Sequence, residues 1–189
     1  MSYAELICAS AFSFLEGASH PVDLAAQAAA LGHAALGLAD VNTVAGVVQG
    51  HAAAKAAGLR YLPGARLRFT DAPDIVAYPT DRAAWGRLCR LLSLGKSRAE
   101  KGACHLTFAD LRAWAAGQLL IIIPPDGPLP PFATWASRAR KHLPGPVYIA
   151  AIRRYAPDDL ARLHALRGLA QTIGAQLVAG NDVLYHDAA

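Results

Sequence analysis

Tyr3-Ala4-Glu5-Leu6-Ile7-Cys8-Ala9-Ser10-Ala11-Phe12-Ser13-Phe14-Leu15-Glu16-Gly17-Ala18-Ser19-His20-Pro21 opens the chain with a strand, a turn-rich connection and a helix start. Tyr3 to Cys8 reads as a first strand. Ser19-His20-Pro21 sets a capping hydroxyl and a first-turn proline ahead of a helix over Val22 to Ala30, which Gly32 closes. The same order follows directly. Ala35 to Ala39 is a second strand ending at Asp40, and Thr43 to Ala57 is a helix closed by Gly58. Strand-then-helix units in succession predict an α/β fold with a mainly parallel sheet.

The remaining sequence continues the alternation. Arg60 to Phe69 and Asp74 to Tyr78 are strands joined by the turn-like Thr70-Asp71-Ala72-Pro73. Asp81 caps a helix reaching about Leu94, and a basic connection around Gly95 to Gly102 follows. Thr107 caps a helix over Phe108 to Ala116. Gln118 to Ile123 is the most apolar strand, as expected of one buried on both faces. A proline-rich loop from Pro124 to Pro131 precedes a helix at Phe132 to His142, a strand at Pro146 to Ile152, a helix at Pro157 to Ile173 and a strand at Gln176 to Ala179. About seven strands with interleaved helices suit a closed barrel or an open doubly wound sheet, and periodicity does not choose between them.

With 189 residues, 54% of them hydrophobic, the chain has material for one domain spanning 1–189 with a proper core. Its longest apolar run, Leu119 to Pro125, is strand-sized, far from the roughly 20 residues that span a bilayer. The opening Met1-Ser2-Tyr3-Ala4-Glu5 lacks the basic and apolar regions of a secretory leader, so a cytoplasmic protein without membrane contact is expected. Cys8, Cys89 and Cys104 are widely spaced and form no C-x-x-C pair, which argues against structural zinc or a disulfide framework. The net charge of +4 is uneven. Residues 81–101 carry six cations against two acids, and Arg138, Arg140, Lys141, Arg153 and Arg154 make a second basic zone. Such zones attract nucleic acid. No aromatic interleaving of the kind a stacking platform requires accompanies these cations, and direct DNA contact is therefore not the favoured expectation.

The quoted opening closely resembles that of error-prone C-family DNA polymerases, in which a strand ends in a His-containing motif followed by Phe-Ser-Phe-Leu and Gly-Ala-Ser. Ala35-Leu36-Gly37-Leu38-Ala39-Asp40-Val41-Asn42-Thr43-Val44-Ala45-Gly46 is similar to the next motif of the polymerase-and-histidinol-phosphatase (PHP) family, where a strand ends in Asp-His. Pro63-Gly64-Ala65-Arg66 stands where the family has Gly-x-Glu, and Asn181-Asp182-Val183-Leu184 where it has Asn-Asp-Val-His. Leu88-Cys89-Arg90-Leu91-Leu92 and Arg98-Ala99-Glu100-Lys101-Gly102 also resemble family segments, so the likeness is collinear over nearly the whole chain. It implies a distorted (β/α)7 barrel of the PHP type, with metal ligands at the C-terminal ends of the strands.

An active PHP site resembles other multinuclear hydrolases, in which His, Asp and Glu side chains hold divalent metals that activate water against a phosphoester. The corresponding positions here are Ile7, Ala9, Glu16, Asp40, Val41, Arg66, Asp182 and Leu184. Ile7, Ala9, Val41 and Leu184 carry no lone pair, and Arg66 puts a fixed cation in place of an acid. Glu16, Asp40 and Asp182 keep carboxylates. The expectation is no catalytic residue, no bound metal, and a guanidinium at Arg66 balancing Asp40 and Asp182. The seven histidines lie away from the motif positions, with His186 alone just past the last strand.

The resemblance implies a role as the N-terminal scaffold of a damage-tolerant polymerase acting in DNA repair, translesion synthesis and replication. This chain would need no cofactor of its own, whereas the parent nucleotidyltransferase would use Mg2+. Its expected partners are the palm and thumb of the same polymerase, with mutagenesis accessory proteins and the sliding clamp. Two alternatives stay open: a stand-alone metal-dependent phosphoesterase, and a non-catalytic interaction module.

Overall fold

The structure is a computed structural model that describes residues 3–187. Met1 and Ser2, on which part of the leader argument rests, lie outside the described residues. Seven strands alternate with six helices among the described residues, which bears out the α/β expectation and the strand count. The chain divides into two compact units, one built from residues up to Arg66 together with those from Gly180 onward, the other from Leu67–Ala179.

The first unit contains β1 (Ala4–Cys8), α1 (Pro21–Ala30), β2 (Ala35–Val41), α2 (Val47–Ala56) and β3 (Arg60–Leu67, whose last residue belongs to the second unit). β2 pairs in parallel with β1 and with β3, in a register that sets Asp40 beside Ala65 and Val41 beside Arg66. Cys8, Leu24, Ala28, Leu36, Leu38 and Leu59 form the buried cluster under α1 and α2. Cys8 bridges Val183 in parallel, so the segment after residue 180 extends this sheet.

The second unit holds β4 (Ile75–Pro79), α3 (Arg82–Ser97), α4 (Phe108–Trp114), β5 (Gln118–Ile122), α5 (Leu129–Arg140), β6 (Val147–Ile152), α6 (Asp159–Ile173) and most of β7 (Gln176–Gly180). β5 pairs in parallel with β6 but antiparallel with β4, a departure from an all-parallel sheet. Leu120, Ile121 and Ile122 are fully buried, as their two-faced apolar run predicts.

Local chemistry explains the shifted boundaries. Thr43 Oγ1 accepts the N–H of Ala45, and this turn delays α2 to Val47. α5 begins inside the expected proline loop, because Pro128 sits at its cap and Pro130 and Pro131 fall in the first turn, where their missing donors cost nothing. Asp81 and Thr107 cap α3 and α4 as expected, Thr107 within a full capping box with Asp110. Ser19 does not cap α1: His20 occupies that position, and the Ser19 hydroxyl is used elsewhere.

Candidate functional site

The motif positions converge within the first unit, and the first device there is a bulge. The β1–β2 register slips between Glu5 and Cys8, leaving one extra residue on β1. The Glu5 carboxylate is buried and takes up a donor that this irregularity frees, accepting the Ile7 N–H at 2.7 Å through Oε1. Its Oε2 accepts the Tyr3 hydroxyl at 2.7 Å and the Asn181 N–H at 3.0 Å. Glu5 thus joins the first strand to the segment carrying Asp182. Sequence motifs did not single it out, although an acid in an otherwise apolar strand was a legible signal.

Asp40, next to the end of β2, is 2% exposed, and the loop that follows β1 supplies donors to its carboxylate. Oδ1 accepts the Ser10 N–H at 2.6 Å and the Ser13 hydroxyl at 2.8 Å, and Ser10 Oγ lies 2.9 Å from both carboxylate oxygens. Ser13 Oγ in turn accepts the Val41 N–H at 2.9 Å. These two serines are the direct partners of Asp40. Hydrogen bonds to a charged group are worth about 1.5–3 kcal/mol each, so the cluster weighs heavily on local order.

The loop itself is tightly closed. Ala11 donates to Ser19 O at 2.8 Å, and Glu16 and Gly17 both donate to Ser13 O at 2.9 Å. A Cβ at Gly17 would stand 2.0 Å from Ser10 O, so only glycine permits this approach. Phe14 and Leu15 at the loop tip are 84% and 90% exposed, and Leu15 holds φ of 64°. The loop is stitched to the last segment by Ala18 N–H on Leu184 O at 2.7 Å. Ser19 Oγ adds a 2.7 Å contact with His186 Nδ1 and accepts the His186 N–H at 2.8 Å.

Arg66, at the end of β3, donates through Nη1 to Asp182 Oδ1 at 2.8 Å. The two side chains keep only 13% and 17% of their exposure. The charge balance expected of Arg66 is therefore present at Asp182, whereas the hydrogen bonds shown on Asp40 come from serines. Ile7 and Ala9 are buried, and Ile7 Cδ1 lies where a Cβ on Gly180 would stand 2.9 Å away. Val183 donates to Ile7 O at 2.8 Å and Ala9 to Val183 O at 2.9 Å, a ladder that carries Leu184 past the end of β1. Glu16 is partly buried on the loop. Among the described residues, no group of three or more His, Cys, Asp or Glu side chains is placed to hold a metal ion. Among them, too, no helix is long and apolar enough to cross a membrane.

The sheet, whose first strand meets the last segment at Cys8 and Val183, carries acids near the C-terminal end of β2 and in the segment after residue 180. The PHP domain model matches residues 5–142, and the chain belongs to the PHP domain family. Over 97% of its length it is 50% identical to the error-prone DNA polymerase of Caulobacter vibrioides, and it is 45% identical over 97% of its length to that of Brucella abortus. It spans only 17% and 18% of those relatives. A solved protein of Bifidobacterium adolescentis, assigned as a metal-dependent phosphoesterase, shares the fold with a TM-score of 0.72 at 14% identity, over 98% of this chain and 88% of that one. The PHP-type fold class drawn from the sequence is borne out.

Two outcomes follow from this geometry. In a double-mutant cycle with Arg66→Met and Asp182→Asn (Asn tolerates the φ of 54° at that position), urea unfolding is expected to return a coupling of about 1–3 kcal/mol. A coupling below about 0.5 kcal/mol would mean that the pair does not hold the segment. The second outcome concerns pH. Burial raises the Cys8 thiol and the Tyr61 phenol, and burial together with the Glu5 hydrogen bond raises the Tyr3 phenol. Unfolded, these groups release protons near about pH 8.5–10. The stability they contribute is therefore complete below that range and lost as pH climbs through and above it. The urea midpoint should fall between about pH 8 and 10.5, less steeply in Tyr3→Phe; equal slopes would remove Tyr3 from the account.

Proposed function

We propose that this chain is the PHP portion of an error-prone, damage-tolerant DNA-directed DNA polymerase, and that it acts there as a structural scaffold with a degenerate metal site. The Arg66–Asp182 ion pair carries this reading. A guanidinium occupies the place where the family resemblance expects an acid, and it is satisfied by one of the remaining carboxylates. The residues present do not fit a multinuclear cluster. Ile7, Ala9, Val41 and Leu184 offer no donor, and Oδ1 of Asp40 is engaged by Ser10 and Ser13.

The polymerase assignment is supported by 50% identity to one error-prone polymerase and 45% to another along almost all of this chain. Nucleotidyl transfer, with its Mg2+, then belongs to sequence outside these 189 residues, and accessory proteins and the clamp are partners that the family resemblance implies. The exposed Phe14 and Leu15 supply an apolar projection suited to packing against the palm or thumb.

Phosphatase and exonuclease assays with Mn2+, Zn2+ and Mg2+ test the scaffold role. Turnover is expected to stay at the metal-free background with every ion. Metal-dependent hydrolysis that disappears in both Asp40→Asn and Asp182→Asn would establish the competing phosphoesterase.

A further inference from the structure

The second unit contains a groove of about 430 Å³ between α4 and α5, lined in part by Phe108, Arg112, Pro131, Trp135, Arg138 and His142. That volume lies within the range of sites that hold a small molecule or one segment of a polymer. Trp135 lies on its wall in a preset position. Its indole meets the Phe108 ring edge-on at 5.3 Å and 69°, and lies 6.3 Å from the buried Phe132 ring at 23°. Fixing the indole before a ligand arrives lowers the ordering cost of binding.

Arg112 and Arg138 stand in the last turns of the two helices, and both are exposed. Several other arginines of this unit are engaged: Arg98 with Asp110, Arg153 with Asp159, Arg154 with Asp126, and Arg162 with the carbonyls of Pro125 and Gly127. Among the described residues, no side-chain hydrogen bond or ion pair engages Arg112 or Arg138. No acid lines the groove, and residues 127–156 contain neither Asp nor Glu. The local field is therefore positive, with nothing in the groove to neutralise it.

We infer that this groove binds single-stranded DNA, with a base stacked against Trp135 and backbone phosphates at Arg112 and Arg138. A single strand presents both chemistries together: an unstacked aromatic face and a phosphodiester charge at short spacing. A duplex hides its base faces, and a peptide of acidic residues alone would leave the aromatic wall unused. Each cation has an aromatic residue one turn away on its own helix, Phe108 before Arg112 and Trp135 before Arg138, a helical spacing that a search for direct interleaving passes over. The groove shares no residue with the motif positions of the first unit, so this inference stands or falls apart from the scaffold proposal.

Fluorescence anisotropy of a labelled oligothymidylate of about 12 nucleotides, titrated with the whole chain over a series of salt concentrations, tests it. The expected result is saturable binding whose logarithm falls linearly with log salt. Arg112→Gln/Arg138→Gln should weaken binding at least about tenfold and reduce the salt slope by about 1.4, near 0.7 for each phosphate no longer neutralised. Trp135→Ala should weaken it about tenfold, with Trp135→Phe close to wild type. Both arginines are exposed, so the double variant is expected to fold, which circular dichroism checks. Arg90→Gln, an exposed change on α3 away from the groove, serves as the control. Absence of binding, an equal loss in Arg90→Gln, or a Trp135→Ala variant that folds and binds like wild type would each overturn the inference. So would displacement of the oligonucleotide by equal nucleotide concentrations of thymidine monophosphate, or by oligoglutamate at equal charge.

Discussion

A carboxylate buried at the end of a strand must be met by donors, and Asp40 meets them through the loop that follows β1. That constraint organises the whole mouth of the first unit. Ser10 and Ser13 are drawn down onto Asp40, which folds residues 10–19 into a closed turn. The turn is possible only because Gly17 has no side chain to strike Ser10 O. Once closed, it offers Ala18 N–H and Ser19 Oγ to the segment around Leu184 and His186. Glu5 performs the parallel task one level deeper, joining a β1 bulge to Asn181.

Charge balance then shapes what the mouth can do. In a metal-binding relative of this architecture, clustered acids are held together by cations that sit between them. Here a side-chain cation, Arg66, meets Asp182 directly. The pair ties the end of β3 to the segment after residue 180. Order at the strand ends can therefore persist with aliphatic residues at Ile7, Ala9, Val41 and Leu184. A scaffold needs that order, and it does not need lone pairs.

Much of the fold was legible in the sequence because its signals are local. Alternating apolar runs, the Asp81 and Thr107 caps and the helix-closing glycines placed most elements within a few residues. The exceptions were also chemical: a Thr43 turn that delayed α2, and prolines compatible with the first turn of α5. The antiparallel β4–β5 pairing left no trace in periodicity, because strand direction is set by tertiary packing. The site was half legible. Arg66 was expected to balance two carboxylates and was found on Asp182, 116 positions away in sequence, because the family resemblance had already set this cation and these acids in one cleft. The service of Asp40 by serines 27 and 30 residues earlier was not visible, nor was Glu5 as a strand-to-segment link. Contacts of that range appear only when the strands are assembled. The same holds for Trp135 and Arg112, which line one groove from two helices.

The proposed scaffold role requires that the mouth of the first unit be held by its own hydrogen bonds and ion pair instead of by metal. Thermal unfolding of the purified chain in chelator, and then in saturating Mn2+ or Zn2+, tests it most directly, because any ligand that binds the folded state raises the melting temperature by mass action. The melting temperature is expected to be the same in chelator and in either metal. A saturable, metal-dependent rise that vanishes in Asp182→Asn would contradict the claim.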